Sequence, residues 1–339
     1  MEKKDWTKLS FSYSKTNTVL TCLYKDGKWG PIESQSADSL NLTVFSPSLH
    51  YGMSCFEGLK AFRGADGKVR IFRPDENAKR LQSSAGFLGI PCPSEELFVK
   101  MCKQAVQENL DFLPPYELRA SLYIRPILIT TIPSINLVPQ QDGILFMVIT
   151  LPVGSYAGKV LDPIKTVIAR DYDRAAPNGS GSFKVGGNYA CAMYATGVAV
   201  KQGYKDVLFL NPETKNIDEF SSANFFGIKG NKYVTPCAKT VLPSITNKSL
   251  RQVAEDLGME VERRDIPVDE LPTFEEVGQC GTAVVITPVE DKETLAAENV
   301  AASYAYSQEC GPKSRKLYET LTGIQYGEIE DKHGWCTIL

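Results

Sequence analysis

Residues 181–190 read GSFKVGGNYA, in which Lys184 precedes a pair of glycines and Tyr189 follows them. A lysine in a glycine-rich loop is most often a solvated side chain. Its neighbours here, Phe183 and Val185, are apolar, and burial would disfavour the charged form of the amine. Because a neutral amine is the nucleophile in Schiff-base chemistry, the stretch indicates either a solvated loop or a reactive lysine.

Two common nucleotide-binding loops do not fit this stretch. The phosphate loop GxxxxGK[ST] requires a glycine before the lysine and a hydroxyl residue after it, whereas Phe183 and Val185 flank Lys184. The dinucleotide pattern GxGxxG fails because Lys184 stands where the glycine after Gly179 and Gly181 belongs. A dehydrogenase with a dinucleotide-binding fold is therefore disfavoured.

The composition of the 339-residue chain argues against several classes of function. Its net charge of −3 and its pI near 5.7 provide no electrostatic basis for binding nucleic acid or an anionic membrane. No apolar run approaches the ~18 residues of a membrane span, and the N-terminus lacks the apolar core of a secretory signal. The nine cysteines are scattered without a CxxC pair, which predicts reduced thiols in the cytoplasm and leaves an organellar location open.

The chain contains two histidines, His50 and His333, far apart in sequence. No cysteine or carboxylate stands at metal-ligand spacing, so we expect no metal site. A catalytic triad of the Ser/His/Asp or Cys/His type would need one of these histidines. We expect His50 at the end of a strand and His333 in a polar tail, which makes lysine the better candidate for acid–base work.

The hydrophobic pattern predicts two α+β domains with antiparallel or mixed sheets, because the strict βαβ alternation of a doubly wound sheet is absent. We expect a small N-terminal domain over 1–152, an interdomain loop over 153–163 and a large C-terminal domain over 164–339. The first domain is predicted to hold strands at 18–24, 43–52, 59–64, 69–72, 118–129 and 144–153, a helix at 75–87 and a helix from Ser94. The second is predicted to hold a helix at 190–203, hairpins over 206–220 and 224–236, a helix at 247–258 capped by Thr246, and a capping box at Thr273 and Glu276.

Three segments stand in sequence order: YGMSCFEGLKAFRG at 51–64, KVGGNY at 184–189 and DEFSSANFFGI at 218–228. Together they resemble the branched-chain amino acid aminotransferases, which are pyridoxal-phosphate enzymes of fold type IV, and the similarity extends between residues 10 and 290. The resemblance implies a two-domain α+β fold like that of D-amino acid aminotransferase, and a homodimer. It also implies reversible transamination of L-leucine, L-isoleucine and L-valine with 2-oxoglutarate, giving branched-chain 2-oxo acids and L-glutamate. The order of preference among the three amino acids, and the biosynthetic or catabolic direction, stay open.

The same resemblance assigns cofactor-binding residues. Lys184 is implied to form the Schiff base with pyridoxal phosphate and then to carry the proton between Cα and the C4′ of the cofactor. Glu219 is implied to pair with the pyridine nitrogen, where a negative charge keeps that nitrogen protonated. Tyr189 is implied to hydrogen-bond the phenolic oxygen. The phosphate is implied to bind at Arg80, Ser222, Ile245, Thr246 and Thr282, with the helix start at 245–246 suited to an anion.

Substrate-binding residues follow in the same way. The backbone amides of Thr282 and Ala283 are implied to hold the α-carboxylate. Arg125 is implied to accommodate, with Tyr123, the distal carboxylate of glutamate. The aromatic wall around an aliphatic side chain is implied to consist of Phe56, Tyr123, Tyr156 and Tyr51, the last lent by the partner subunit.

The sequence departs from the family pattern in two places. Mammalian members carry a CxxC pair where this chain has Val284 and Thr287, so a thiol switch of that kind is not expected. In FSYSKT, Ser12 replaces a glycine that relatives often have, which weakens a pocket role for Phe11. The alternatives are another fold type IV enzyme, either a D-amino acid aminotransferase or an aminodeoxychorismate lyase, and a non-catalytic binding protein with a degenerate site.

Overall fold

A computed structural model describes residues 6, 9–154, 161–295, 304–305 and 309–339. The chain forms two compact units. The first unit comprises Met1–Tyr156, Phe183–Gly186 and Gly323–Leu339, and the second comprises Ala157–Ser182 and Gly187–Thr322. The boundaries expected from the sequence, 1–152, 153–163 and 164–339, stay a prediction.

The described residues form strands, α-helices and short 3-10 turns throughout both units. The strands are β1 (Val19–Lys25), β2 (Lys28–Trp29), β3 (Glu33–Gln35), β4 (Ser54–Phe56), β5 (Leu59–Arg63), β6 (Val69–Phe72), β7 (Ser121–Thr130), β8 (Ile144–Val153), β9 (Ile164–Ala169), β10 (Asp206–Leu210), β11 (Ile217–Phe220), β12 (Asn224–Lys229), β13 (Lys232–Thr235), β14 (Glu260–Arg263), β15 (Glu276–Gly281), β16 (Val285–Leu295), β17 (Tyr304–Ala305) and β18 (Cys336–Ile338). The α-helices are α1 (Pro47–His50), α2 (Pro74–Leu88), α3 (Glu95–Glu108), α4 (Gly186–Lys201), α5 (Ile245–Asp256) and α6 (Pro312–Gln325). None of the helices described is long and apolar enough to cross a membrane.

The first unit is built on an antiparallel sheet in the order β18-β6-β5-β7-β8-β1-β2, with β3 beside β1 and β4 beside β7. Its longest pairing joins β7 and β8, from Ser121 opposite Val153 to Thr130 opposite Ile144. Helices α2 and α3 bury their apolar stripes in the same core as alternate residues of these strands. Ser94 caps α3 as expected, because its hydroxyl accepts the N–H of Leu97 at 3.2 Å.

The predicted strand over 43–52 is wrong, because the segment contains the short helix α1. Ser46 is the N-cap and accepts the N–H of Ser48, while Pro47 occupies the first helical position, where its missing N–H costs nothing. The Ser46 hydroxyl also donates to the carbonyl of Thr130 at 2.7 Å. His50 consequently ends a helix rather than a strand, and it is exposed.

The second unit is built on a mixed sheet in the order β11-β10-β9-β16-β15-β12-β13-β14. An additional pairing of β11 with β12 closes six of these strands into a ring. Alternate residues of β9 and β10 are buried on both sides: Ile168 and Leu208 on one, Val167 and Val207 on the other. Small residues of α4, including Ala195, pack on that second side. The expected α+β class with antiparallel and mixed sheets is confirmed.

Two predicted caps in the second unit are wrong. Helix α5 is capped by Ser244, whose hydroxyl accepts the N–H of Asn247 at 3.2 Å, so Thr246 lies inside the first turn. Thr273 and Glu276 form no capping box, since Glu276 opens β15. Its carboxylate instead accepts the N–H groups of Lys313 and Ser314 at 3.0 and 2.8 Å, and so caps α6, which is distant in sequence.

Lys60 on β5 is buried directly opposite Tyr123, and burial lowers its pKa from 10.5 to about 8. Between pH 8 and 10.5 the unfolded chain binds this proton more strongly than the folded protein, so stability must rise with pH. Relative to Lys60→Met, the free energy of unfolding of the wild type should therefore increase by about 3 kcal/mol between pH 8 and pH 10.5. Denaturant unfolding at several pH values measures it. Lys100→Met, exposed on α3, is the control, and a pH-independent difference for Lys60→Met would contradict the expectation.

Candidate active site

Lys184 is held between a strand and a helix of the first unit. Val185 forms an isolated antiparallel bridge with Cys55, and the carbonyl of Lys184 accepts the N–H of Phe56 at 3.1 Å. The N–H of Lys184 donates to the buried Ser84 hydroxyl on α2 at 2.9 Å. The side chain is half-buried. This is a fixed backbone segment rather than a solvated loop.

Four of the predicted residues come together in the first unit. The Nζ of Lys184 lies 4.9 Å from the ring centroid of Phe56, and the guanidinium of Arg125 lies 4.6 Å from the same centroid. Arg125 donates through Nη2 to the Tyr123 hydroxyl at 2.9 Å. Among the described residues the buried Nε of Arg125 has no hydrogen-bond partner. The apolar ring of Phe56 therefore lies beside the amine of Lys184 and beside the guanidinium of Arg125, which can bind an anion.

Two neighbours fix the position of Tyr123. A Cβ at Gly58 would lie 2.0 Å from the Tyr123 hydroxyl oxygen, so glycine is needed for this ring to approach the FEGLK segment. The ring of Phe11 meets Tyr123 edge-on at 4.7 Å between centroids. Phe11, which the sequence associated only weakly with the pocket, thus packs against one of its predicted members.

Arg80 is buried on α2, although its position in the sequence resembles that of a helix-surface residue. It donates to both carboxylate oxygens of Glu57, through Nε at 2.8 Å and Nη2 at 2.7 Å. Asn77 adds a 2.6 Å bond to Glu57, which is fully buried. Sequence reasoning missed Glu57, for which the available signal was an acidic residue between the apolar residues Phe56 and Leu59. A bidentate pair of this kind fixes the plane of the guanidinium.

Glu219 lies on β11 in the second unit and is 3% exposed. It accepts the N–H of Leu242 at 2.9 Å and the side-chain amide of Asn224 at 2.7 Å, and it forms an ion pair with the buried Arg174. Burial raises the pKa of Glu219, while the charge of Arg174 and these two hydrogen bonds act in the opposite direction. The glutamate is therefore not a solvated hairpin residue, and the sequence did not reveal its partners.

Two turns of the second unit lie at one end of the sheet. Asn224 pairs with Glu219 on one side and with Cys280 on the other, which brings the 221–223 turn beside the 282–284 turn. A Cβ at Gly281 would contact Ala223 at 3.8 Å. Ser222, Thr282 and Ala283 consequently lie near the end of β11. Val285 follows the second turn with φ of 62°, a strained conformation for a β-branched residue.

The start of α5 offers the features of an anion site. Ile245 and Thr246 are buried in its first turn, where backbone N–H groups lack acceptors within the helix. The positive end of the helix dipole adds to this preference for negative charge.

Three further predicted residues are Tyr51, Tyr189 and Tyr156. Tyr51 is exposed, and its hydroxyl donates to the carbonyl of Ile135 at 2.7 Å. Tyr189 is half-buried in the first turn of α4. Tyr156 lies outside the described residues. The described part of the chain contains no group of three His, Cys, Asp or Glu side chains that could hold a metal ion.

Comparison with known proteins places the chain in a family. Residues 54–291, well over half of the sequence, match the model of amino-transferase class IV. The chain belongs to the class IV aminotransferases. The resemblance described above and the type IV fold are thereby confirmed.

Individual class IV aminotransferases match nearly the whole chain. A Haemophilus influenzae protein named branched-chain-amino-acid aminotransferase is 44% identical over 343 residues, covering 99% of this chain and 98% of that protein. The crystal structure of the Escherichia coli branched-chain amino acid aminotransferase aligns with a TM-score of 0.81 and 26% identity, covering 95% and 99% of the two chains. The crystal structure of the branched-chain aminotransferase from the archaeon Thermoproteus uzoniensis with norvaline aligns with a TM-score of 0.79 and 25% identity, covering 95% and 99%.

Proposed function

We propose that this chain catalyses pyridoxal-phosphate-dependent, reversible transfer of the amino group of L-leucine, L-isoleucine and L-valine to 2-oxoglutarate, giving branched-chain 2-oxo acids and L-glutamate. The observation that carries the substrate class is the arrangement of Phe56, Arg125 and Tyr123 beside Lys184. The ring offers apolar surface for a branched aliphatic side chain. The unpaired Nε of Arg125 offers, within the described chain, a buried donor for the distal carboxylate of glutamate.

In each unit, taken by itself, residues suit particular chemical groups of pyridoxal phosphate. An amine is available for its aldehyde at Lys184, and a buried carboxylate for its ring nitrogen at Glu219. A buried guanidinium at Arg80 and the first turn of α5 suit a phosphate. When bound, the cofactor supplies the electron sink for the α-carbon of the amino acid.

We propose the following roles for the residues of this chain at the cofactor. Lys184 would hold the aldehyde of the cofactor through its amine, and the same tethered amine would be well placed to move a proton at the α-carbon of the substrate. Glu219 holds the proton on the ring nitrogen, and Tyr189 hydrogen-bonds the phenolic oxygen. The phosphate binds at Arg80, Ser222, Ile245, Thr246 and Thr282.

On the substrate side, we propose that the N–H groups of Thr282 and Ala283 hold the α-carboxylate. Arg125 and Tyr123 bind the distal carboxylate of glutamate. The aliphatic side chain contacts an aromatic wall of Phe56, Tyr51, Tyr123 and Tyr156.

Activity with defined amino donors tests the function. We expect L-leucine, L-isoleucine and L-valine to be consumed with 2-oxoglutarate and pyridoxal phosphate, and L-glutamate to be formed. Preference for D-alanine would instead indicate a D-amino acid aminotransferase, and release of pyruvate from aminodeoxychorismate would indicate the lyase. Lack of activity with all of these donors would support a non-catalytic binding protein.

Gly58→Ala is expected to impair the dicarboxylate substrate more strongly than leucine, because only the dicarboxylate depends on both the Tyr123 hydroxyl and Arg125. The added methyl group would lie 2.0 Å from the hydroxyl oxygen of Tyr123 and would therefore displace that hydroxyl. The hydrogen bond between Tyr123 and Arg125 would then be lost. We expect KM for 2-oxoglutarate to rise about tenfold or more, as for loss of a hydrogen bond to a charge. Steady-state kinetics with each substrate varied separately measures this. Gly86→Ala on α2, which meets open space, is the control, and an equal loss for leucine would contradict a selective role.

We further propose a homodimer in the cytoplasm. An apolar patch of the first unit is exposed at Val44, Phe45 and Leu49 and again at Ile135 and Leu137. Tyr51 belongs to this patch, and a second copy of the chain covering it would lend Tyr51 to the partner's site. The nine free thiols fit a reducing compartment. Light scattering tests the dimer, and a mass of 37.4 kDa in solution would contradict it.

A further inference from the structure

Two buried asparagines of the second unit link Glu219 to helix α5. The Nδ2 of Asn224 donates to Oε2 of Glu219 at 2.7 Å, and the Nδ2 of Asn247 donates to Oδ1 of Asn224 at 3.1 Å. Both side chains are less than a tenth exposed. The backbone N–H of Asn247 donates to the N-cap Ser244, so this residue also belongs to the capped first turn of α5.

Thr235 and Tyr233 fix the direction of the hydrogen bonds that run from Asn247 through Asn224 to Glu219. Thr235 donates its hydroxyl proton to the carbonyl of Phe225 at 2.7 Å, so it accepts from Nδ2 of Asn247 at 2.8 Å. The Tyr233 hydroxyl donates to Oδ1 of Asn247 at 3.0 Å. With the amide of Asn247 oriented in this way, Asn224 must turn its oxygen toward Asn247 and its N–H toward Glu219.

We propose that Asn224 and Asn247 are positioning residues that hold the Glu219 carboxylate ionised and oriented, and that couple it to the helix start that binds the phosphate. This inference rests on the proposed function. Oε1 of Glu219 accepts the N–H of Leu242 and forms the ion pair with Arg174, whereas Oε2 accepts the amide N–H of Asn224. A hydrogen bond to the charged form offsets the desolvation of a buried carboxylate. The amide chain therefore adds to the charge of Arg174 and the N–H of Leu242, against the like charge of Asp218, in keeping this carboxylate able to hold a proton on the ring nitrogen.

Asn247→Asp tests the relay with almost no change in volume. An ionised aspartate only accepts hydrogen bonds, so Asn224 would have to reverse its amide and present its oxygen to Glu219. We expect kcat with L-leucine to fall about tenfold to hundredfold, the factor that a hydrogen bond to a buried charge commonly contributes. The pH midpoint of the visible absorbance of the bound cofactor should rise. A neutral pyridine ring withdraws fewer electrons than a protonated one, so the Schiff-base nitrogen would bind its proton more tightly.

Binding to the apoenzyme gives a readout that does not depend on turnover. Fluorescence titration should show that Asn247→Asp weakens pyridoxal phosphate by a larger factor than it weakens pyridoxal, which lacks the phosphate. Asn224→Ala leaves α5 intact and should shift the absorbance midpoint with a smaller effect on phosphate discrimination. This second variant also decides the question if Asn247→Asp does not fold.

Asn109→Asp is the matched control, because Asn109 is a fully buried asparagine of the first unit with donors and acceptors on both sides. It should lower the melting temperature and leave the absorbance midpoint unchanged. If Asn247→Asp and Asn224→Ala behave like this control, the relay is refuted. A wild-type protein that neither binds pyridoxal phosphate nor transaminates would refute the proposed function itself.

Discussion

Replacement of Lys184 by alanine is expected to reduce transamination roughly 10⁴-fold or more, because the residue is proposed both as the nucleophile and as the base. The backbone around it should be unaffected. Its N–H and C=O bonds to Ser84 and Phe56 do not involve the side chain. The loss should therefore appear in kcat, with the melting temperature of the apoprotein close to that of the wild type.

Borohydride reduction followed by peptide mapping locates the modified amine directly. The wild type should carry the reduced cofactor on Lys184, and Lys184→Ala should carry none. Lys201→Ala, at the exposed end of the neighbouring helix α4, is the control and should retain both label and activity. A label found on another lysine of the wild type would refute the assignment.

Elements whose signals are local could be predicted from the sequence. Ser94 precedes two glutamates and an apolar stripe, and α3 begins there. Over 43–52 the β-branched and aromatic residues suggested a strand, but the Ser46-Pro47 pair is a helix start, and this turn chemistry prevailed. The sequence around Glu276 matched a local capping box, yet Glu276 caps a helix that begins 36 residues later, at Pro312. A pattern of neighbouring residues could not have identified so distant a partner.

The candidate site divides in the same way. Lys184 and Glu219 could be found because each lies in a short motif with a recognisable composition. Glu57 and Arg174 could not, because their partners, Arg80 and Glu219, lie 23 and 45 residues away and only the folded chain joins them. The bridge between Cys55 and Val185, which places residues 183–186 in the first unit, depends on contacts across 130 positions. Polar groups that pair across a long stretch of sequence produce no periodic pattern, so these contacts could not be predicted from the sequence.

Glu219→Gln is expected to lower kcat by roughly 10²–10³-fold, the factor commonly lost when one preorganised electrostatic group is removed. The amide keeps the volume of the side chain and can still accept the N–H of Leu242, but it carries no charge to hold a proton on the ring nitrogen. It also leaves Arg174 buried without its ion-pair partner, which should lower the free energy of unfolding by about 3 kcal/mol or more.

These two effects of Glu219→Gln can be separated with a neighbour on the same strand. Asp218 is also buried on β11, where its carboxylate contacts Asn211, and its negative charge adds to burial in raising the pKa of Glu219. Asp218→Asn should change stability without raising the absorbance midpoint of the bound cofactor, because loss of that charge favours the ionised form of Glu219, whereas Glu219→Gln should raise the midpoint. An equal loss of kcat in both variants, with no shift in the absorbance midpoint, would assign Glu219 a purely structural role.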